Sequence, residues 1–581
     1  MDLVVDAMIG GKPIDLQFHS VRIRAGLFTP CEVDLEIGFP EANSASVFKK
    51  ATKDWLGEKL SLTISDRIAT SIKKKYEGVI TDLSLREGSM TIYSHSEDFF
   101  LDGANRHKGY LSKKLFDVAS DLIRNSISSN DVRSPSHSLE FRFFQQYDES
   151  DYELLKRIAL YDGCVFFHDG EKFYYQEELT GMQPVKLGLE ELNDVQLACH
   201  VDNMKFAGGP YDYQKHVDAG HITVKTGPPN SPNHPFASDV LSKSQKLFKP
   251  EDEHFNMPFH LSAEYQKYIE NQQAYNANGA VSVTGETTHP MVCVGREVQC
   301  SGHAILGDPF VVTHLDAVFE GNVYKGTFEA APKDTKFPPK EREDHEYLGL
   351  LQPCVVVDNN DPEKLGRVQV RYLWDDSGSA LAWARLVCAG AGSNHGTHYV
   401  PRVSDQVLVG CEHGDPSMPT VIGALYHSEN KPDFVTDNGS EEILLAKSPK
   451  NSVVRIVDKD NSEEIIITMQ DTKNVLRMKL DGPKITLQSS DGTIEILAKD
   501  VKVTADNNVE ITATKDFTLK ADKIEMNSQK DTNITAGMNL TAKASSKAEL
   551  SATGSVKLSG AQIESSASAT NTIQGGIVKI N

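Results

Sequence analysis

Alternation of apolar and polar residues dominates the first hundred positions. "DLVVDAMIG", "PIDLQFHSVRIRAG", "CEVDLEIGF" and "KLSLTISDRI" are separated by Gly or Pro, and "YEGVITDLSLREGSMTIYSHS" adds two more such stretches. A period of two puts every second side chain on one face, which predicts β-strands. From Lys113 the period lengthens: Leu115, Phe116, Val118, Ala119 and Leu122 fall on one helical face. The polar stretch "SSNDVRSPSHS" then predicts a loop. A second helix is predicted over 151–160, with Ser150 as its cap, Glu153 as the reciprocal capping partner and Gly163 at its C-terminus. A strand pair at 164–168 and 172–176 follows, turned at "DGEK". Residues 201–335 are again strand-like, broken by loops such as "TGPPNSPNHPFAS", with one helix in "EYQKYIENQQAYNANGA". The polar, proline-containing "FPPKEREDHEY" predicts a linker at 337–347. Six short stretches follow at close spacing: "LQPCVVVD", "GRVQVRYLW", "ALAWARLVC", "HYVPRV", "QVLVGCEH" and "PTVIGALY". They predict a small β-barrel.

Beyond residue 426 the pattern changes character. The chain can be written in eights: "VKVTADNN", "VEITATKD", "FTLKADK", "IEMNSQKD", "TNITAGMN", "LTAKASSK", "AELSATGS", "VKLSGAQ", "IESSASAT". Two of these units are one residue short, and "ITLQSSDG" with "TIEILAKD" extends the series upstream. Positions one, three and five share a face of a strand, and the residues after them form a turn. One such octad cannot bury its face alone. It is also too short for the wide core of a single-chain β-helix. Three intertwined chains satisfy the pattern, each giving one face of a narrow prism with Val501, Val503, Val509, Ile511, Phe517, Leu519, Ile524, Met526 and Leu558 on its axis. At about 4.8 Å of advance per octad, about twelve octads span roughly 60 Å. A disordered polar tail is the competing reading, and the strict phasing of apolar positions opposes it.

Length and charge narrow the functional classes. A chain of 581 residues predicts about three or four domains. The net charge of −22 leaves no basic stripe to neutralise phosphates, which argues against nucleic acid and anionic lipid as partners. "MDLVVDAMIGGKPIDLQFHS" has no basic region or apolar run of signal-peptide type, and nothing approaches the ~20 apolar residues of a membrane span. The expectation is folding and assembly in the cytoplasm, with export by another machine. The eight cysteines contain no C-x-x-C and are expected to be buried free thiols.

Two further segments carry a resemblance. "DPEKLGRVQVRYLWD" contains Gly366, Arg367, Val368, Val370, Tyr372, Trp374 and Asp375. The following phrase includes Pro401, Arg402, Val403, Val407, Leu408, Val409, Gly414, Asp415, Pro416 and Pro419. With "YDESDYELLKRIALYDGCVFF" upstream and the octads downstream, the chain resembles VgrG proteins, the trimeric spikes of type VI secretion systems and related contractile injection systems. The resemblance implies a mainly β fold. Residues 1–340 would form a phage hub-like region of two β-barrels with a small α/β insertion at about 105–180. An OB-fold barrel at 348–430, a connector at 431–484 and a trimeric β-helix needle at 485–581 would follow. It implies a homotrimer whose hub caps a hexameric inner-tube protein among baseplate proteins. A PAAR-type tip protein would meet Val578, Lys579, Ile580 and Asn581, with effector cargo as a further partner and only transient contact with a target membrane. No lysozyme-like domain lies between barrel and needle, and no H-x-H motif in the tail suggests a metal-bearing tip.

Catalytic constellations are weak. "GAGSNHG" holds Ser393 and His395 but is neither a P-loop nor G-x-S-x-G. His395 and His398 lack further ligands at metal-binding spacing. The carboxylates of "YDESDYE" suit helix capping better than a glycosidase pair. The expectation is therefore a non-enzymatic spike with no cofactor and no metal. The alternatives are a receptor-binding trimeric fibre or adhesin, and a spike with a cryptic cell-wall hydrolase activity.

Overall fold

The computed structural model describes residues 2–14, 17–179, 182–208, 224–232, 234–248, 251–252, 262–340, 351–375, 378, 381–393, 395–412, 418–432, 442–469 and 473–580. Two compact units result, Met1–Gly439 and Ser440–Asn581.

In the first unit, the strands expected for two hub barrels are hydrogen-bonded into a single 13-stranded sheet. One half runs from Gln17–Gly26 through Thr29–Gly38, Ser89–His95, Lys73–Arg86 and Lys59–Asp66 to Leu3–Ile9. The other runs from Phe310–Glu320 through Val323–Pro332 and Val281–Thr287 to Leu192–Cys199. The halves meet where Gln17–Gly26 pairs antiparallel with Phe310–Glu320. Arg22 holds that seam with two hydrogen bonds to Asp316, from Nε at 3.1 Å and Nη2 at 2.6 Å. Strict alternation gives the sheet its core: Leu60, Leu62 and Ile64 are buried, and so are Leu35, Ile37, Met90, Ile92, Leu315 and Phe328.

Two helices of this unit escape the sequence reading. Helix α1 (Ser44–Asp54) lies in a region read entirely as strands. Its Val47, Phe48 and Ala51, with the following Trp55, pack on the hub core. Between the Leu115–Ser126 helix (α2) and the Asp151–Asp162 helix (α3) the chain forms much of a second core. The loop expected at 128–138 contains a short strand, Asn130–Val132, parallel to Phe173–Gln176. Helix α4 (Pro235–Leu247) begins inside the expected loop "TGPPNSPNHPFAS". Pro235 stands where a helix N-terminus has no N–H to satisfy, and Ala237, Val240, Leu241 and Ser244 repeat at helical spacing. Helix α5 (Ser262–Asn278) carries Tyr265, Tyr268 and Ile269 into the second core, as its sequence predicts.

The capping of α3 follows the sequence expectation. Ser150 Oγ accepts the Glu153 backbone N–H at 3.1 Å, the Glu153 carboxylate accepts the Ser150 N–H at 3.0 Å, and Gly163 closes the helix at φ +71°. Ser150 also donates to Asp102 at 2.5 Å. Ser150→Ala is expected to cost about 1–2 kcal/mol. The cost should be visible as faster hydrogen exchange in the first turn of α3, without loss of the hub sheet.

The cysteine expectation needs correction. Cys31, Cys164, Cys293, Cys300 and Cys354 are buried free thiols, but Cys388 and Cys411 are half-buried and Cys199 is exposed. Cys199 ends the strand Leu192–Cys199, which among the described residues stands at an edge of the hub sheet.

Candidate functional site

Five strands form a closed barrel: Gln352–Asp358, Val368–Tyr372, Leu381–Leu386, Pro419–Leu425 and Gln406–Cys411. Val368, Val370 and Tyr372 are buried in its core with Cys354, Val407 and Val409. The segment at 398–403, expected as a strand, is irregular chain. Pro401 has no N–H to give a ladder, and Ser404 turns at φ +77°. The Pro401 carbonyl accepts from Asn359 Nδ2 at 3.2 Å, and the Arg402 N–H donates to Asp405 at 2.8 Å. Gly414, Asp415 and Pro416 lie outside the described residues.

The barrel's entry loop is organised by Asp361, which sequence reasoning did not single out. Its Oδ1 accepts from the Glu363 N–H at 3.0 Å and Arg367 Nη2 at 2.8 Å. Its Oδ2 accepts from the Leu365 N–H at 2.8 Å, and from the Arg367 N–H and Nε at 3.1 Å each. Both side chains of the pair are only 4% exposed. Burial pushes the Asp361 carboxyl up, but the bonds from Arg367, Glu363 and Leu365 outweigh it and hold its pKa at about 2. Gly366, at φ +75°, supplies the left-handed turn that brings Arg367 back onto Asp361, and a Cβ there would meet the His398 ring at 3.2 Å. The signal was present in the sequence as Asp-Pro opening a turn six residues before an arginine.

Trp374 joins the barrel to the second core. Its ring stacks on Tyr372 at 5.0 Å and meets His107 at 5.4 Å and Tyr147 at 5.5 Å. Gln352 donates to the Tyr147 hydroxyl at 2.7 Å, and Phe143 enters the barrel core. Asp375 is buried at the end of this strand, its N–H bonded to the Tyr372 carbonyl at 3.2 Å. A contiguous aromatic seam is a rigid way to fix the barrel on its neighbour.

The weak catalytic candidates have structural explanations. His395 lies in an exposed two-stranded hairpin, and Ser393 precedes it in the turn. In "YDESDYE", Glu149 pairs with Arg157, Asp151 with Arg106 at 3.2 Å, and Glu153 completes the cap. Among the described residues no group of three or more His, Cys, Asp or Glu could hold a metal ion, and no helix is long and apolar enough to cross a membrane.

The second unit presents another kind of candidate site. The strands Glu442–Lys447, Val453–Val457, Glu464–Met469, Asn474–Lys479 and Lys484–Ser489 form a five-stranded antiparallel meander within the expected connector and the first octad-like phrase. One face carries Ile466, Val457 and Val475, all buried, with Glu464 between Arg455 and Arg477. The opposite face holds Ile465, Ile467, Met478, Ile485 and Leu487, all exposed. From 490 to 580 no described residue lies in a helix or strand, and all are exposed. The backbone nonetheless bends at 506–507, 514–515, 522, 529–530, 537–538, 545–546, 553–554, 561 and 568–569, near the end of each octad. Val501, Val503, Val509, Ile511, Phe517, Leu519, Ile524, Met526 and Leu558 are all half or more exposed, Val503 as much as 73%. Among the described residues nothing buries them. Val578, Lys579 and Ile580 are exposed as well, and Asn581 lies outside the described residues.

Comparison with known families gives this architecture its place. Residues 31–323, half of the chain, match the phage tail baseplate hub family. The chain belongs to that family. Residues 352–426 match the type VI secretion system/phage-baseplate injector OB domain, which is the closed barrel described above. The combination is that of the VgrG-type spikes. The type VI secretion system spike protein VgrG5 of Pseudomonas aeruginosa is 23% identical over 374 residues, covering 56% of this chain and 46% of that protein. The actin cross-linking toxin VgrG1 of Vibrio cholerae is 21% identical over 330 residues, covering 52% of this chain and 30% of that protein. The chain thus spans less than half the length of these relatives. In fold it is similar to the lidded Francisella PdpA–VgrG complex, with a TM-score of 0.56, 10% identity, and coverage of 84% of this chain and 80% of that one.

Proposed function

We propose that three copies of this chain form the non-enzymatic spike of a contractile injection system. The hub caps an inner tube of hexameric rings within the baseplate. The octads of three chains intertwine into a stiff needle, and sheath contraction drives it through a target envelope. A PAAR-type protein closes the tip, over residues 578–581, and cargo travels with the assembly. The observation that carries this reading is the register of apolar positions with bending. Exposed apolar residues recur at every second position between the bends, and the bends recur near the octad ends. An isolated chain has no reason to keep such phase, because apolar groups left in water gain nothing from it. Three chains would pair those backbones and cover those side chains at once. The exposed apolar face of the 442–489 meander supports the same arrangement, since it too needs cover.

The name of the toxin relative does not transfer, because the match covers 30% of that protein. The engaged carboxylates of "YDESDYE" give the hydrolase alternative no free acid–base pair.

Absolute mass by light scattering on a sizing column tests the proposal. The expected value is three times 64.1 kDa, persisting in mild denaturant. A folded 64.1 kDa monomer would overturn the three-chain needle.

A further inference from the structure

Three apolar cores of the first unit are stitched in series, and two phenylalanines make the stitches. Phe28 packs against both the hub core and the second core. Phe143 belongs to the barrel core, although Phe141 and Phe144 on the same strand, Glu140–Glu149, lie in the second core. Phe28 occupies the turn between Gln17–Gly26 and Thr29–Gly38 at φ +59°. A bulky residue at positive φ persists only where its surroundings hold it there. Its N–H donates to the Phe166 carbonyl at 3.0 Å, and its ring meets the Phe166 ring edge-on at 5.1 Å. The turn after Val165–His168 makes a second clasp on the hub. The Gly170 carbonyl accepts the Glu77 N–H at 2.6 Å, and the buried side chains of Asp169 and Lys74 pair at 3.5 Å. Gly170 lies at φ +100° against the Tyr76 ring, where a Cβ would come within 2.3 Å. At its other end the second core meets the barrel through Phe143, the Trp374 ring between His107 and Tyr147, and the Gln352–Tyr147 bond.

In sequence the barrel follows the hub through residues 341–350. A covalent connection limits how far two bodies separate. A packed interface also resists their approach and their tilt, because close-packed interiors have low compressibility and transmit strain. From the two clasps on the hub and the aromatic seam on the barrel we infer that the second core is a non-covalent joint, sufficient to hold the barrel on the hub when the chain between them is cut. In the spike proposed above, thrust then passes from hub to barrel through the second core, entering at Phe28 and Gly170 and leaving at Phe143 and Trp374. The direction of thrust rests on that reading; the joint does not.

The test uses the full-length protein with residues 341–346 replaced by the recognition sequence of a site-specific protease. Mass by light scattering on a sizing column is compared before and after cutting. The mass should not change, and both fragments should run in one peak, at low salt and at about 1 M salt alike, because the seam is aromatic rather than ionic. Tyr147→Ala/Trp374→Ala should leave the uncut protein whole, yet once cut its fragments should separate at least roughly tenfold faster, as expected for truncated aromatic anchors at an interface. Phe99→Ala/Phe100→Ala removes an exposed aromatic pair outside the joint and should separate no faster than the parent. Separation of the parent fragments, an unchanged rate in the Tyr147/Trp374 variant, or an equal acceleration in the Phe99/Phe100 variant would overturn the proposal. Circular dichroism matching the parent establishes that each uncut variant is folded. The outcome does not depend on the number of chains. A failed joint in a true three-chain spike leaves the barrel fragment at three times its own mass, whereas a monomer with a sound joint stays at 64.1 kDa after cutting.

Discussion

Asp361→Ala is expected to destabilise the barrel sharply while the hub sheet keeps its stability. Removing the buried carboxylate takes three bonds from Arg367, which stays enclosed and keeps the Glu363 carboxylate at 3.6 Å. The cost is about 3–5 kcal/mol. Three backbone N–H groups, those of Glu363, Leu365 and Arg367, lose their acceptor at the same time. The chain has three tryptophans, Trp55 in the hub and Trp374 and Trp383 in the barrel. In a Trp55→Phe background, fluorescence therefore reports the barrel. The variant should lose its emission transition at a far lower denaturant concentration, and protease should cut within 352–426 first. The same carboxylate has a pH signature. Its folded pKa of about 2 lies below the ordinary ~3.9 of an unfolded aspartate. Its stabilisation is thus complete above about pH 5 and fades as pH falls through 4 towards 2. Barrel stability should drop in that window in the parent protein, and Asp361→Ala should lack that component. Identical acid profiles for the two would show that the pair contributes nothing.

Ile511→Asp should have its effect elsewhere, in the three-chain needle. If the octads meet at a common axis, the substitution places three carboxylates at one level with no counter-charge. Each costs several kcal/mol to dehydrate, and they repel one another. The expected result is loss of a detergent-resistant trimer and rapid proteolysis near residue 511. Glu510→Ala, one position away and facing outward in the same scheme, should leave both properties intact. A needle that tolerates Ile511→Asp as well as Glu510→Ala would refute the packing.

The barrel and the second core were legible because their signals are local. Ser150, Glu153 and Gly163 lie within fourteen residues and satisfy one helix, so the sequence alone marks both of its ends. The period-two strands at 59–66 and 89–95 each bury every second residue. Helices α1 and α4 were missed for opposite reasons. The first sits among strong strand signals, with Val47 and Phe48 half-buried and Ala51 alone fully buried. The second begins at a proline within a run of loop-forming residues. Asp361 was overlooked because its role depends on a turn that folds Arg367 back onto it. The joining of the hub halves was illegible for a simpler reason: alternation states that a strand exists and which face is buried, but not which strand lies beside it. The register of the octads was legible, yet their partners are not in the same chain.

The Arg22–Asp316 seam has a consequence for how the protein is made. Its partners are 294 residues apart. At about 5–20 residues per second of synthesis, the strand Gln17–Gly26 leaves the ribosome roughly 15–60 s before its neighbour Phe310–Glu320 exists. For that interval one long edge of the nascent hub, with buried-to-be Val21 and Ile23 beside it, has no strand to pair with. The first half of the hub can fold early, but it must wait unfinished. Slower translation would lengthen the wait, so yield of soluble protein should depend on chaperone supply during synthesis more than on the stability of the finished molecule.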